Sequence, residues 1–299
     1  MAKRALVLFS GGMDSTYLMW QMAEKGLQVD YIYADGAQGE SKSSVEMDSR
    51  SENIDLIKEY WPGWYPHSGG RVLSKVNLSQ TPKAKWRQAL PWMVAAMEIV
   101  DPDIHSSVNI GYCADDDTLQ EKYSMIEAWN AMWKFTKKGD VVPLEFPLQL
   151  THKFVMLRDL PPEIYAATWI CELPITNARK GATACGRCEP CMTREVEKFR
   201  FKLRTHKSLE EHHESIAKRC DELKERNQNK WRREAEERHN SSETRAKPIP
   251  PLSETFEPVE RVVTGNGVIR IPIRHPLDKI LDENPGMEME DAIHRLAEA

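Results

Sequence analysis

The chain has 299 residues, with 41 Lys and Arg against 46 Asp and Glu, a net charge of -5. That acidic balance argues against a dedicated nucleic-acid binder, whose surface is usually basic, so no direct nucleic-acid contact is expected. No apolar run approaches the roughly 20 residues of a membrane helix, so no membrane partner is expected either.

The first predicted element is a strand, Ala5-Leu6-Val7-Leu8-Phe9. This apolar run is shorter than the roughly 7–15 residues of a secretory core, and a cytoplasmic location is the expectation. Ser10-Gly11-Gly12-Met13-Asp14-Ser15 follows, and then an amphipathic helix from Thr16 to about Lys25. The Gly-Gly pair lets the backbone turn where a Cβ would clash, and lets a ligand approach the main chain. The free N–H groups and dipole of the following helix suit phosphate. Ser10 and Ser15 add hydroxyls, and Ser15 is also placed to cap the helix. A corner whose glycines serve geometry alone is the competing reading.

A second strand, Val29 to Ala34, ends at Asp35-Gly36-Ala37-Gln38. Strand, helix, strand is a parallel α/β unit. Ligands of such sheets gather beyond the carboxyl ends of the strands, where Asp35 and Gln38 are placed. A helix is predicted over 40–61 and a third strand over 71–78. The basic segment Lys83, Lys85, Arg87 leads into a helix from Leu90 to Met97. Cations are unfavourable at a helix start, so their clustering hints at an anion such as a triphosphate, with a solvated helix start as the equal alternative.

The fourth strand, His105 to Gly111, opens into Tyr112-Cys113-Ala114-Asp115-Asp116-Asp117-Thr118. Three consecutive Asp could hold Mg²⁺, or could cap the next helix, and the cap is favoured for at least one of them. A helix over 119–135 and a short last strand over 143–148 follow. Lys153 then opens a helix over 152–159 and is a second candidate phosphate ligand.

Cys171, Cys185, Cys188 and Cys191 form the pattern C-x13-C-x2-C-x2-C. Four thiolates with no open position describe a structural zinc site. An iron–sulfur cluster or a redox pair are the alternatives. Cys113 and Cys220 have no partner at metal spacing and read as small buried or semi-buried side chains.

The remainder is organised around charge. Residues 202–240 are helix-permissive, with Leu209, Ile216 and Leu223 recurring every seven residues and His213, Cys220 and Asn227 four after each. This seam fits a thin coiled coil, or a solvated helix packed on its own domain or on a partner subunit. Lys230-Trp231-Arg232-Arg233 reads as surface. Residues 241–258 read as a linker, 262–271 as a hairpin around Gly265-Asn266-Gly267, and 287–296 as a closing helix. The expected organisation is a main domain over 1–160, a four-cysteine region over 161–201, a charged helix over 202–240, and a linker with hairpin and helix over 241–299.

The Ser10–Ser15 segment resembles the S-G-G-x-D-S pyrophosphate loop of PP-loop ATP pyrophosphatases, which split ATP into AMP and pyrophosphate. With the four cysteines some 160 residues later, it resembles the 7-cyano-7-deazaguanine synthase family. Other segments fit in order. Asp35-Gly36-Ala37-Gln38 resembles the family's D-[YFG]-x-Q, Arg87-Gln88 its Arg-Asn pair, Thr151-His152-Lys153 its Thr-Lys step, and Asn109-Ile110-Gly111 its strand before the substrate loop. Thr168-Trp169-Ile170-Cys171 resembles T-W-S-C, and Cys185 to Arg194 resembles C-G-x-C-x-x-C-x-x-R. The loop at 113–120 and the spacing of the first two cysteines depart from the family.

The resemblance implies an α/β fold with a parallel, Rossmann-like sheet and a small helical zinc-binding extension. It implies an ATP-dependent ligase that makes 7-cyano-7-deazaguanine from a 7-deazapurine acid and ammonia through an acyl adenylate and an amide. Its cofactors would be ATP, Mg²⁺ and Zn²⁺. Ser10, Asp14, Ser15, Lys153 and Arg87 would carry the chemistry. The nucleotide would lie on Leu8, Phe9, Ser10, Gly11, Gly12, Met13, Asp14, Ser15 and Thr16, with Asp35, Gln38 and Gly111. Zinc would sit on Cys171, Cys185, Cys188 and Cys191. A homodimer is expected. Another PP-loop ATP pyrophosphatase, forming an amide or modifying RNA, and a non-catalytic zinc-stabilised binding module are the rival readings.

Overall fold

The structure is a computed structural model that describes residues 3–35, 40–73, 89–137, 139–177, 181–243, 259–264 and 267–272. Gln38, Arg87 and the closing helix expected over 287–296 lie outside them, and for Asp35 the backbone alone is described.

Strand β1 (Arg4–Leu8) is buried from Ala5 onward, as a continuous apolar run in the middle of a parallel sheet should be. It leads into α1 (Met13–Glu24), β2 (Val29–Asp35), α2 (Glu40–Tyr60) and β3 (His67–Leu73). Then come α3 (Ala89–Ile99), β4 (His105–Ile110), a short 3₁₀ turn over Asp117–Glu121, α4 (Lys122–Thr136) and β5 (Leu144–Glu145). The five strands form one parallel sheet in the order β3-β2-β1-β4-β5. The order reverses between β1 and β4, so the crevice for a ligand opens beyond the carboxyl ends of these two strands. The segment Ser10–Ser15 leaves β1 there, and Gly111–Asp116 leaves β4 there.

The two faces of β1 enter different cores, because side chains alternate along a strand. Val7 and Phe9 pack with α1, α2 and the later helices, while Leu6 and Leu8 pack with Ile32, α3 and α4. The later helices are α5 (Lys153–Asp159), α6 (Pro162–Ala167), α7 (Glu189–Thr205) and α8 (Leu209–Glu243). A two-stranded antiparallel ribbon, β6 (Ile175–Asn177) with β7 (Gly181–Thr183), precedes α7.

The seven-residue seam of α8 is resolved in favour of its own domain. Leu209, Ile216 and Cys220 are buried in the same core as Phe9 and Tyr60, with Leu223 packed against it. Asn227 Nδ2 donates to the carbonyl of Tyr60 at 2.9 Å, and Lys224 Nζ reaches Glu59 at 2.7 Å. The helix is not continuous from residue 202: α7 ends at Thr205, His206 is left-handed at φ 58, and α8 starts at Leu209. Trp231 is also more than surface, since its ring stands against Gly63. Cys113 and Cys220 are buried, as expected.

The chain divides into two compact units, Met1–Glu237 and Arg238–Ala299. The expected hairpin lies in the second, with β8 (Val259–Thr264) antiparallel to β9 (Gly267–Pro272). Among the described residues, no helix is long and apolar enough to cross a membrane.

Candidate active site

The loop after β1 is held from inside by its own serines. The Ser10 and Ser15 hydroxyl oxygens are 3.1 Å apart. Ser15 Oγ donates to the carbonyl of Gly12 at 3.1 Å, and the N–H of Gly12 donates to Ser10 Oγ at 3.3 Å. Ser15 is therefore not the helix cap. Gly12 takes that position in an extended conformation, with no side chain bonding the first turn, because Ser15 already lies one turn inside. The first-turn N–H groups are left without a side-chain cap, the arrangement that favours a bound anion.

Gly11 needs to be glycine twice over. Its φ is +80, and a Cβ there would stand 2.9 Å from Arg50 Cγ, 3.0 Å from Ser49 Oγ and 3.2 Å from the Arg50 nitrogen. Its carbonyl accepts from the N–H of Trp169 at 3.0 Å and from Ser49 Oγ at 3.1 Å. Asn53 and Ser49 also bond the carbonyl of Ala167. Helix α2 and the segment 167–169 thus clamp the outer side of the loop. On the inner side Gly111 meets α1 directly: a Cβ there would lie 3.1 Å from both Cα and N of Ser15.

Asp14 and Lys153, read separately at two strand ends, come together. Lys153 Nζ lies 3.8 Å from Asp14 and 3.7 Å from Asp116. Burial works against the ammonium, but the two carboxylates outweigh it and hold Lys153 above the usual lysine range. Burial pushes Asp14 up to about 7; Lys153 opposes this, while Asp116 and Asp115 add to it. Asp14 Oδ1 is buried without a hydrogen-bond partner.

Two of the three Asp after β4 divide the work between them. Asp115 does cap a helix, but α5 rather than the one that follows it: Oδ2 accepts from the N–H of Lys153 at 2.7 Å, and Oδ1 lies 2.9 Å from His152 Nδ1. Asp116 faces Lys153 and accepts from the N–H of Cys113. Asp14, Cys113 and Asp116 offer one ligand atom each within 4.8 Å of one another. The two carboxylates suit Mg²⁺, which prefers hard oxygen donors, whereas the buried thiol of Cys113 does not.

The four cysteines converge. Their sulfur atoms lie within 4.8 Å of one another, and Cys171 and Cys188 Sγ are 3.9 Å apart. A tetrahedron with Zn–S near about 2.3 Å has edges of about 3.8 Å, so this donor set fits zinc. Backbone N–H groups already point at the sulfurs: Cys185 donates to Cys171 Sγ at 3.2 Å and Cys188 to Cys185 Sγ at 3.3 Å. Trp169 links this cluster to the loop. Its N–H holds the Gly11 carbonyl and its ring Nε1 donates to the carbonyl of Cys171 at 2.9 Å. Arg194, one turn after Cys191, donates to the hydroxyl of Tyr165 at 2.8 Å and reaches the Thr168 carbonyl at 3.4 Å.

Ser49, Arg50 and Asn53 do not stand out in the sequence. The only trace there is a cluster of polar residues at i, i+1 and i+4 on the buried side of α2, which periodicity reads as solvent-facing.

A five-stranded parallel sheet with an S-G-G-x-D-S turn at its switch point defines the chain as an α/β protein with a parallel, Rossmann-like sheet. The resemblance to 7-cyano-7-deazaguanine synthase stands in the comparison with curated proteins. A 65-residue stretch is 40% identical to that protein of Polaromonas sp. strain JS666, and covers 22% of this chain. The match spans 26% of that protein's length. No protein-family model matches the chain. Among solved structures, a predicted subunit of tRNA methyltransferase from Methanocaldococcus jannaschii is similar at 15% identity and a TM-score of 0.34, over 70% of this chain and 91% of that one.

Proposed function

We propose that the chain is an ATP-dependent ligase of the 7-cyano-7-deazaguanine synthase type. The observation that carries this reading is the uncapped Gly12–Ser15 turn at the end of β1, with Lys153 and the Asp14–Asp116 pair beside it. The loop amides and the hydroxyls of Ser10 and Ser15 would hold the pyrophosphate as it leaves, where charge develops. Lys153 would sit at the same phosphates, with Arg87 as a second cation. Asp14 and Asp116 would hold Mg²⁺, which neutralises phosphate charge. Gly111, packed on the start of α1, would let the nucleotide lie close to the main chain, and Asp35 and Gln38 would be further nucleotide contacts. Zinc on Cys171, Cys185, Cys188 and Cys191 would fix the position of Trp169, and through it Gly11.

The substrate would be a 7-deazaguanine carboxylate. Its oxygen attacks the α-phosphorus of ATP and pyrophosphate departs. Ammonia then displaces AMP to leave an amide. A second ATP activates the amide oxygen in the same way, and loss of AMP and a proton leaves the nitrile. The test is pyrophosphate release from ATP with 7-carboxy-7-deazaguanine and ammonium, with mass spectrometry of the product. A nitrile is expected, and Asp14→Ala should abolish turnover. Accumulation of the amide alone would move the endpoint to amide synthesis. Absence of pyrophosphate from folded, zinc-bearing protein would refute the substrate assignment. Sedimentation velocity of the same sample is expected to give a homodimer.

A further inference from the structure

Arg50 is the strongest unexplained group beside the loop. Only 5% of it is exposed. Its stem runs along Gly11, with which Cγ and the backbone nitrogen are in close contact. Its guanidinium carbon ends over the carboxyl ends of β1 and β2, 4.7 Å from the ring centre of Tyr33 and 5.6 Å from those of Phe9 and Tyr31. Nη1 donates to the sulfur of Met47 at 2.9 Å, and Nε is buried with no acceptor. No carboxylate among the described residues makes an ion pair with it. Glu46, one turn earlier on α2, accepts the hydroxyl of Tyr33 instead.

This is an expensive way to keep a cation. A buried guanidinium normally has a carboxylate or several good acceptors, and a thioether is a weak acceptor. Aromatic faces attract the charge but do not take its N–H groups. Burial lowers Arg50 to about 10, against the opposing influence of Tyr31, Tyr33 and Glu46. The contrast with Lys153 is direct: that cation, on the inner flank of the loop, is matched by both Asp14 and Asp116. The cation on the outer flank makes no such ion pair among the described residues, although the Glu46 charge favours it.

We propose that Arg50 is an anion-binding residue of this loop, whose free N–H groups take phosphate oxygens of the ligand held on Gly11–Ser15. The inference rests on reading that loop as a pyrophosphate site. The planar guanidinium presents two parallel donors to a phosphate, which a lysine cannot reproduce. Phe9, Tyr31 and Tyr33 keep it in place while the ligand is absent.

The probe is inorganic pyrophosphate, titrated calorimetrically into the full-length zinc-bearing protein, with Arg50→Gln and Arg50→Lys beside the wild type. Arg50→Gln is expected to weaken binding at least tenfold, and Arg50→Lys to fall between, since it keeps the charge and loses the fork. Ligand-free Arg50→Gln is expected to melt at or above the wild-type temperature, because it removes a buried charge that makes no ion pair among the described residues. Equal affinity in wild type and Arg50→Gln would overturn the assignment and leave the loop reading intact. A lower melting temperature or failure to fold in both variants would also overturn it, by making Arg50 a structural residue. No uptake of pyrophosphate by the wild type would overturn the loop reading and this inference together.

Discussion

Replacing Gly11 with Ala tests the geometry of the loop quantitatively. Two costs combine at this position. The left-handed backbone at φ +80 costs about 1–2 kcal/mol for a residue with a Cβ. The new Cβ would also stand 2.9 Å from Arg50 Cγ and 3.2 Å from the Arg50 nitrogen, and overpacking of this kind costs about 1–3 kcal/mol. Gly26 separates the two terms. Its φ is +66, and nothing lies within 4 Å of where a Cβ would go, so Gly26→Ala carries the conformational cost alone. Both substitutions lower the unfolded chain's entropy by a similar amount, about 0.4–1 kcal/mol, which cancels in the comparison. Gly11→Ala should therefore be less stable than Gly26→Ala by about 1–3 kcal/mol, read from urea midpoints at equal m-value. It should also lose most ATP-dependent pyrophosphate release, because the loop must move away from α2. If Gly11→Ala proves no less stable than Gly26→Ala, the close approach of α2 to the loop is not real, and the clamp described above falls with it.

Further outcomes follow from other contacts. The purified protein should carry one zinc ion per chain by elemental analysis. Cys191→Ser should lose it, lower the melting temperature and reduce pyrophosphate release, because Trp169 bridges Cys171 to Gly11; full activity without zinc would refute that bridge. Leu209→Ala should cost about 2–5 kcal/mol in denaturant unfolding, since Leu209 is buried with the domain core; a cost near zero would return α8 to solvent. Asp14 ionises at about 7 in the folded protein against 3.8 ordinarily. The folded state then holds more protons than the unfolded one between these values, so this group's contribution to stability is present below about pH 4 and is lost as pH rises through about 7. Asp14→Asn should remove that part of the fall in stability between pH 4 and 7, measured as the shift of the guanidinium midpoint; an unchanged slope would refute the burial of the carboxyl.

Much of this protein is legible in its sequence because the signals are local. A continuous apolar run makes β1 a central parallel strand, and a Gly-Gly turn between a strand and a helix leaves an uncapped helix start at its end. The cysteine spacing predicts a closed four-thiolate site, and the sulfurs do converge. Lys153 and Asp14, 139 positions apart, were both expected at strand ends, and the parallel topology brings their side chains together. What remained hidden depends on which surface meets which. The seam of α8 reads equally well as a coiled coil or a packed helix, and only the groove beside Tyr60 and Tyr165 decides between them. Asp115 carries an ordinary capping residue's signature, yet the helix it caps begins 38 residues later. Ser15 looks like a cap and is instead a brace, because Gly12 already occupies the terminal position. Arg50 and Ser49 look like the solvent face of a charged helix. They lie inside because α2 crosses the end of β1 at Gly11, where a missing Cβ leaves room for them. A chain's own spacing dictates its elements and their end groups, whereas the burial of a polar residue depends on a partner surface that only the folded chain supplies.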